Sequence, residues 1–136
     1  MTETEHQILV MCWAKKICLA GRVELDLLFH IPNGGSRSGR EGVMFKAMGV
    51  KPGVPDLMLP IKRHGYGGLW IEMKTDGGRL SEAQEDWHQR LAWAGHKVVT
   101  CWRWQDAIEE IKDYVDRDGE WPEIDMATMA ERIAGA

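Results

Sequence analysis

Two short apolar runs, residues 57–61 and 69–75, flank Arg63-His64-Gly65-Tyr66-Gly67-Gly68, a stretch in which three of six residues are glycine. Runs of this length on either side of such turn chemistry read as an antiparallel hairpin. Side chains two apart on a strand share a face, so Glu72 and Lys74 point one way while Ile71 and Met73 point into the opposite apolar layer. Asp56 begins the first run, delivered by the turn Lys51-Pro52-Gly53-Val54-Pro55, and closing the hairpin brings it beside Glu72. A hairpin with one apolar face needs helices to cover it, and the rest of the chain must supply them.

Thr2 or Thr4 can cap a helix running to about Ala20, in which Ile8, Leu9, Cys12, Trp13, Lys16 and Ile17 recur at three- and four-residue steps before Gly21. Residues 23–31 alternate imperfectly and read as a strand; residues 32–39 are glycine- and serine-rich and read as a loop; residues 41–48 read as a short helix closed by Gly49. Beyond the hairpin, Ser81 caps a helix reaching about Ala94, with Glu82, Ala83 and Gln84 in its first turn. A strand at 97–102 and an amphipathic helix at 105–115 follow, the latter with Ala107, Ile108, Ile111, Tyr114 and Val115 on one face. The order αβββαβα predicts an α/β domain with a small central mixed sheet flanked by helices. Residues 1–118 form that domain, and residues 119–136 are a tail with Trp121-Pro122 and a short helix at 125–134, without an assigned role.

A length of 136 residues suits one domain, and no stretch approaches the ~20 apolar residues of a membrane span. The first residues, Met1-Thr2-Glu3-Thr4-Glu5, lack a secretory pattern, and the three cysteines (Cys12, Cys18, Cys101) show no Cys-x-x-Cys pairing. Both point to a reducing cytoplasm, with the cysteines as small core residues.

The formal net charge of −4 hides an uneven distribution. Residues 34–79 carry eight Lys/Arg against four Asp/Glu, a net +4, whereas residues 80–136 carry six against thirteen, a net −7. The basic segment contains the hairpin, so Arg37, Arg40, Lys46, Lys51, Lys62, Arg63 and Arg79 are available to face phosphates. Two carboxylates ~4 Å apart repel by about 4 kcal/mol at an effective dielectric of 20, so Asp56 and Glu72 require a proton or a cation between them. Mg²⁺ fits this ligand set, with Mn²⁺ able to substitute, and the backbone carbonyl of Met73 is a further candidate donor. Lys74 then either orients and deprotonates an attacking water or stabilises a pentavalent phosphate. A Glu-x-Lys on a strand is ordinarily a surface ion pair. Its combination with Asp56 and basic loops points to a metal-dependent nuclease.

Asn33-Gly34-Gly35, Gly53-Val54-Pro55-Asp56-Leu57, Gly68-Leu69-Trp70-Ile71-Glu72-Met73-Lys74, Leu80-Ser81 with Gln84, and Gly95 with the following strand resemble the VRR-NUC family of the PD-(D/E)XK nuclease superfamily. The similarity runs from about residue 3 to 115. It implies a metal-dependent DNA endonuclease with Asp56, Glu72 and Lys74 in the active site. Stand-alone members, often carried by phages and prophages, resemble Holliday-junction resolvases and act as homodimers, which implies branched or four-way DNA as substrate and a bacterial or phage-infected host cytoplasm. The resemblance also implies a metal-binding acid on the first helix: Glu3, four before Gln7, matches that arrangement best, and Glu5 stands close by. As first-turn acids, both also suit the helix dipole.

The loop with Asn33, Arg37 and Arg40 is the main candidate DNA contact, joined by Lys51 and by Gln84, which could equally be a surface glutamine. His64 in the hairpin turn is a candidate phosphate contact; none of the five histidines has zinc-type spacing. Trp13, Trp87 and Trp93 fall on apolar helix faces and read as core, while Trp70 shares a face with Glu72 and can wall the metal site. The competing function classes are a non-cleaving DNA-binding or assembly module on the same fold and a trimming exonuclease.

Overall fold

The computed structural model describes residues 1–32 and 39–135. Helix α1 spans Glu3–Leu19; its N-cap Thr2 accepts the Glu5 amide while the Glu5 carboxylate accepts the Thr2 amide, a reciprocal capping box. A 3₁₀ turn at Val23–Leu27 leads to the two-residue strand β1, Phe29–His30. The strand expected over 23–31 is therefore mostly absent. Its apolar residues anchor at a spacing of three, with Leu25 and Leu28 buried, while Val23 and Leu27 are 68% and 51% exposed. That is the period of a 3₁₀ helix and not of a strand.

Helix α2 (Gly39–Met48) buries no residue. Strand β2 (Leu57–Leu59) and strand β3 (Leu69–Met73) form the expected hairpin, helix α3 (Glu82–Trp93) crosses over, and strand β4 (Lys97–Cys101) returns parallel to β3. Helices α4 (Trp104–Asp116) and α5 (Ala127–Gly135) complete the chain. The sheet order is β1-β2-β3-β4, antiparallel except for the last pair, so the sheet is mixed as anticipated.

Alternation along β2 and β3 decides which side carries the core. Leu57, Leu59, Leu69, Ile71 and Met73 face α1 and α4, joining Leu9, Trp13, Ile17, Ile108 and Ile111 in one cluster. Each fully buried aliphatic side chain there contributes about 1.5–3 kcal/mol. The opposite face, with Trp70 and Glu72, meets α3 and the residues after it, as the His88–Glu72 and His96–Trp70 contacts record. Cys101 is buried in β4, and Cys12 and Cys18 are half-buried on α1.

The tail packs against α1. Trp121 lies 6.1 Å from Trp13 between ring centroids, donates its indole N–H to the Asp116 carbonyl, and carries the Arg22 guanidinium 4.0 Å from its ring centre. Met126 is buried, and Ile124, Met129 and Ile133 pack beside it. Residues after Gly119 thus extend the core over the outer side of α1. Trp93, expected in the core, is 90% exposed. Leu91 is the one buried residue of α3, and a helical step of 200° turns Trp93 away from it.

Candidate active site

The hairpin sets the centre of the site. Leu57 opposes Ile71 and Met58 opposes Trp70, so the same register places Asp56 across from Glu72 at the open end of the hairpin. Three contacts pin Asp56. Its carbonyl accepts the Ile31 amide at 2.8 Å and lies 2.8 Å from His30 Nδ1, and its Oδ2 accepts the Met73 amide at 2.7 Å. The turn that delivers it is seated on α3: at Gly53, with φ of 90°, an added Cβ would lie 2.5 Å from the backbone of Ala83. Only glycine tolerates both the conformation and that approach.

Glu72 is 1% exposed and is the one buried charged residue among those described. Its carboxyl group stands beside that of Asp56, close enough for each to act on the other's proton affinity. Two carboxylates so placed repel, which favours the protonated form of one of them. Burial first, then the contact with Glu72, push Asp56 up to about 7, against the opposing pull of the Met73 amide. Burial also raises Glu72, and the nearby charge of Glu3 adds to the effect, while the Asp56 contact and the Lys74 ammonium oppose it. Lys74 lies one residue beyond the last residue of β3, its amide still held by the Cys101 carbonyl at 2.9 Å.

The first-turn acids of α1 are separated by their cap. Glu5 is turned back onto the Thr2 amide at 2.9 Å, whereas Glu3 is near enough to Glu72 to act on its charge. Gln84 fills the equivalent capping position on α3, its side-chain oxygen accepting the Ser81 amide at 2.8 Å. That leaves only its NH₂ end for any other partner. Arg40 and Lys51 are exposed, and Asn33 and Arg37 lie outside the described residues.

Two expected phosphate contacts belong elsewhere. Arg63 Nε donates to the Val115 carbonyl at 3.1 Å, and His64 Nε2 lies 3.1 Å from the Tyr114 carbonyl. Both close the C-terminal end of α4 from the hairpin turn, the end opposite Asp56. A turn rich in basic residues looks alike in sequence whether it faces solvent or a helix terminus. Conversely, no motif marks His88 in the sequence, yet its Nε2 is 3.3 Å from Glu72 Oε1. The available signal was its position one turn after Gln84 and one turn before Leu91, a stripe that faces the sheet. Burial lowers the His88 pKa below the ordinary imidazole value, against the Asp56 charge.

A mixed sheet that offers an apposed Asp–Glu pair with a neighbouring lysine at the open end of a hairpin defines a nuclease-type domain. The VRR-NUC domain model matches residues 3–103, and the chain belongs to that family. A solved structure described as a VRR_NUC domain protein is 37% identical, with a TM-score of 0.73 over 85% of this chain and 88% of its own. No curated protein matches the chain. Nucleases of this family are generally metal-dependent.

The donors present suit a hard divalent cation. Among the described residues no three His, Cys, Asp or Glu side chains converge as a ready-made cage. A bound ion would therefore rest on the Asp56–Glu72 pair, backbone carbonyl oxygen and water, the mixture Mg²⁺ accepts. The raised proton affinity of both carboxyl groups marks where positive charge is needed. No helix among the described residues is long and apolar enough to cross a membrane.

Proposed function

We propose that this protein is a Mg²⁺-dependent DNA endonuclease, with Mn²⁺ able to substitute, that hydrolyses phosphodiester bonds in structured or branched DNA. The observation that carries this reading is the buried Asp56–Glu72 carboxyl contact with Lys74 two residues along the same chain. Asp56, Glu72 and the Met73 carbonyl would hold the ion, and of the two first-turn acids of α1 Glu3 is the one that could join them by a movement of its side chain, because Glu5 is committed to the Thr2 cap. A cation there would lower the pKa of a coordinated water and offset charge on the phosphate.

The protein's own groups do the rest. Asp56 is fixed by the Met73 amide and Glu72 is shielded from solvent, so neither carboxylate has to reorganise when substrate arrives. Lys74 either orients and deprotonates the attacking water or stabilises the pentavalent phosphate; acid–base help of this kind contributes roughly 10²–10⁴-fold. Arg40 and Lys51, with Asn33 and Arg37 earlier in the sequence, approach the DNA backbone, and Gln84 offers its amide nitrogen at the start of α3. The four-way junction and the homodimer follow from the family resemblance. The exposed apolar residues Val43, Met44 and Met48 of α2 support an intermolecular surface.

The test is cleavage of labelled four-way junction, linear duplex, flap and single-stranded DNA under titration of Mg²⁺ and Mn²⁺. Asp56→Asn and Glu72→Gln should abolish metal-dependent cutting while the fold is retained. Undiminished cutting by either variant would falsify the assignment. DNA binding without cutting of any substrate would establish the non-cleaving module instead, and mononucleotide ladders would establish a trimming exonuclease. The mass in solution decides the homodimer.

A further inference from the structure

Apart from Glu3 on α1, which acts on it through its charge, the Glu72 carboxylate is approached from three elements: Asp56 at the head of β2, Lys74 just beyond β3, and His88 in the middle of α3. The first two belong to the nuclease reading. His88 does not, yet it is the α3 side chain that reaches the buried acid, with Nε2 3.3 Å from Oε1 and side-chain exposures of 16% and 2% for the two partners. Its helix is not free to drift, because Ala83 in the first turn is packed against Gly53 and Ser81 caps the helix through Gln84.

We propose that His88 is a positioning residue for Glu72: its Nε2–H donates to Oε1 and fixes the plane in which the carboxylate meets a divalent cation. The inference rests on the metal-dependent reading above. A carboxylate tethered through one oxygen loses rotation about its terminal bond, and partners that orient metal-binding groups in this way are worth about 10–100-fold in metal affinity. A histidine that only filled space beside β3 would need no donor directed at the one buried charge.

The experiment measures Mn²⁺ binding to the full chain by calorimetry without DNA, alongside the Mn²⁺ dependence of cleavage. His88→Leu keeps bulk and removes the donor; His88→Gln restores an N–H donor. The leucine variant should bind Mn²⁺ about tenfold or more weakly, with the half-maximal Mn²⁺ concentration for cleavage raised by the same factor and the rate at saturating metal largely kept. The glutamine variant should recover most of the affinity. Wild-type affinity in the leucine variant, or equal loss in both variants, overturns the proposal. Circular dichroism of the metal-free proteins reports folding, with His88→Ala as a second donor-free variant if leucine is not accommodated. Glu72→Gln separates the two levels: if it too binds Mn²⁺ like the wild type, the metal-dependent reading falls; if it loses binding while His88→Leu does not, only the role of His88 falls.

Discussion

Replacing Asp56 by asparagine should stabilise the metal-free protein at pH 8 and do so by a clearly smaller margin at pH 5. Asparagine reproduces the protonated form of the aspartate: its oxygen can accept the Met73 amide and its NH₂ can donate to Glu72. In the folded protein Asp56 titrates at about 7 against an ordinary value of 3.8. The folded state therefore binds more protons than the unfolded state between those values. Stability from this group is fully present below about pH 4 and declines as pH rises, until it is gone above about pH 7. The difference sets a ceiling of about 4 kcal/mol, and water around a partly accessible carboxyl group reduces the working figure to about 2 kcal/mol. For a chain of this size that corresponds to roughly 6–10 °C in Tm. Thermal melts in EDTA at pH 5 and pH 8, wild type against variant, measure it. Adding Mg²⁺ at pH 8 should raise the Tm of the wild type and not of the variant. A variant less stable than the wild type at pH 8, or one whose offset is equal at both pH values, would refute the raised proton affinity of Asp56.

Gly53→Ala should lower both stability and cleavage, since the left-handed backbone and the 2.5 Å approach to Ala83 leave no room for a methyl group; a cost of about 2 kcal/mol or more is expected by denaturant titration. Trp121→Ala removes the contacts to Trp13, Arg22 and the Asp116 carbonyl and should cost about 2 kcal/mol in the same assay. Arg63→Ala should cost about 1 kcal/mol through its lost bond to the end of α4. It should leave the salt dependence of DNA binding unaltered, and a reduced slope would place Arg63 on the DNA.

The fold was legible wherever a local signal matched the tertiary outcome. Ser81 with Gln84 announced the start of α3, and the glycine-rich turn at 65–68 announced the hairpin, because caps and turns are determined within a few residues. The register Leu57 to Ile71 then brought Asp56 opposite Glu72 without further information. Three things were not legible. Residues 23–31 offered apolar positions compatible with two periods, and the choice depended on whether Leu28 could reach the core. His64 and Arg63 have the composition of a phosphate-binding turn, and only the position of α4, 50 residues away in sequence, gives their actual partners. His88 required knowing that α3 lies against the polar side of β3, which depends on how the crossover is laid over the sheet.

Helix α1 has 17 residues and therefore measures about 25 Å from end to end. Glu3 sits at one end, and Trp13, in the far half, is clasped by Trp121 from the tail. A rod of that length behaves as a lever: a tilt of about 5° about Trp13, roughly 15 Å from Glu3, displaces that end by about 1.3 Å. Ligand distances to Mg²⁺ tolerate far less. If Glu3 serves the proposed metal site, residues 119–135 would act as a set screw on the angle of α1, and a chain trimmed to its nuclease motifs would keep every acid yet lose the alignment of the one carried by the helix.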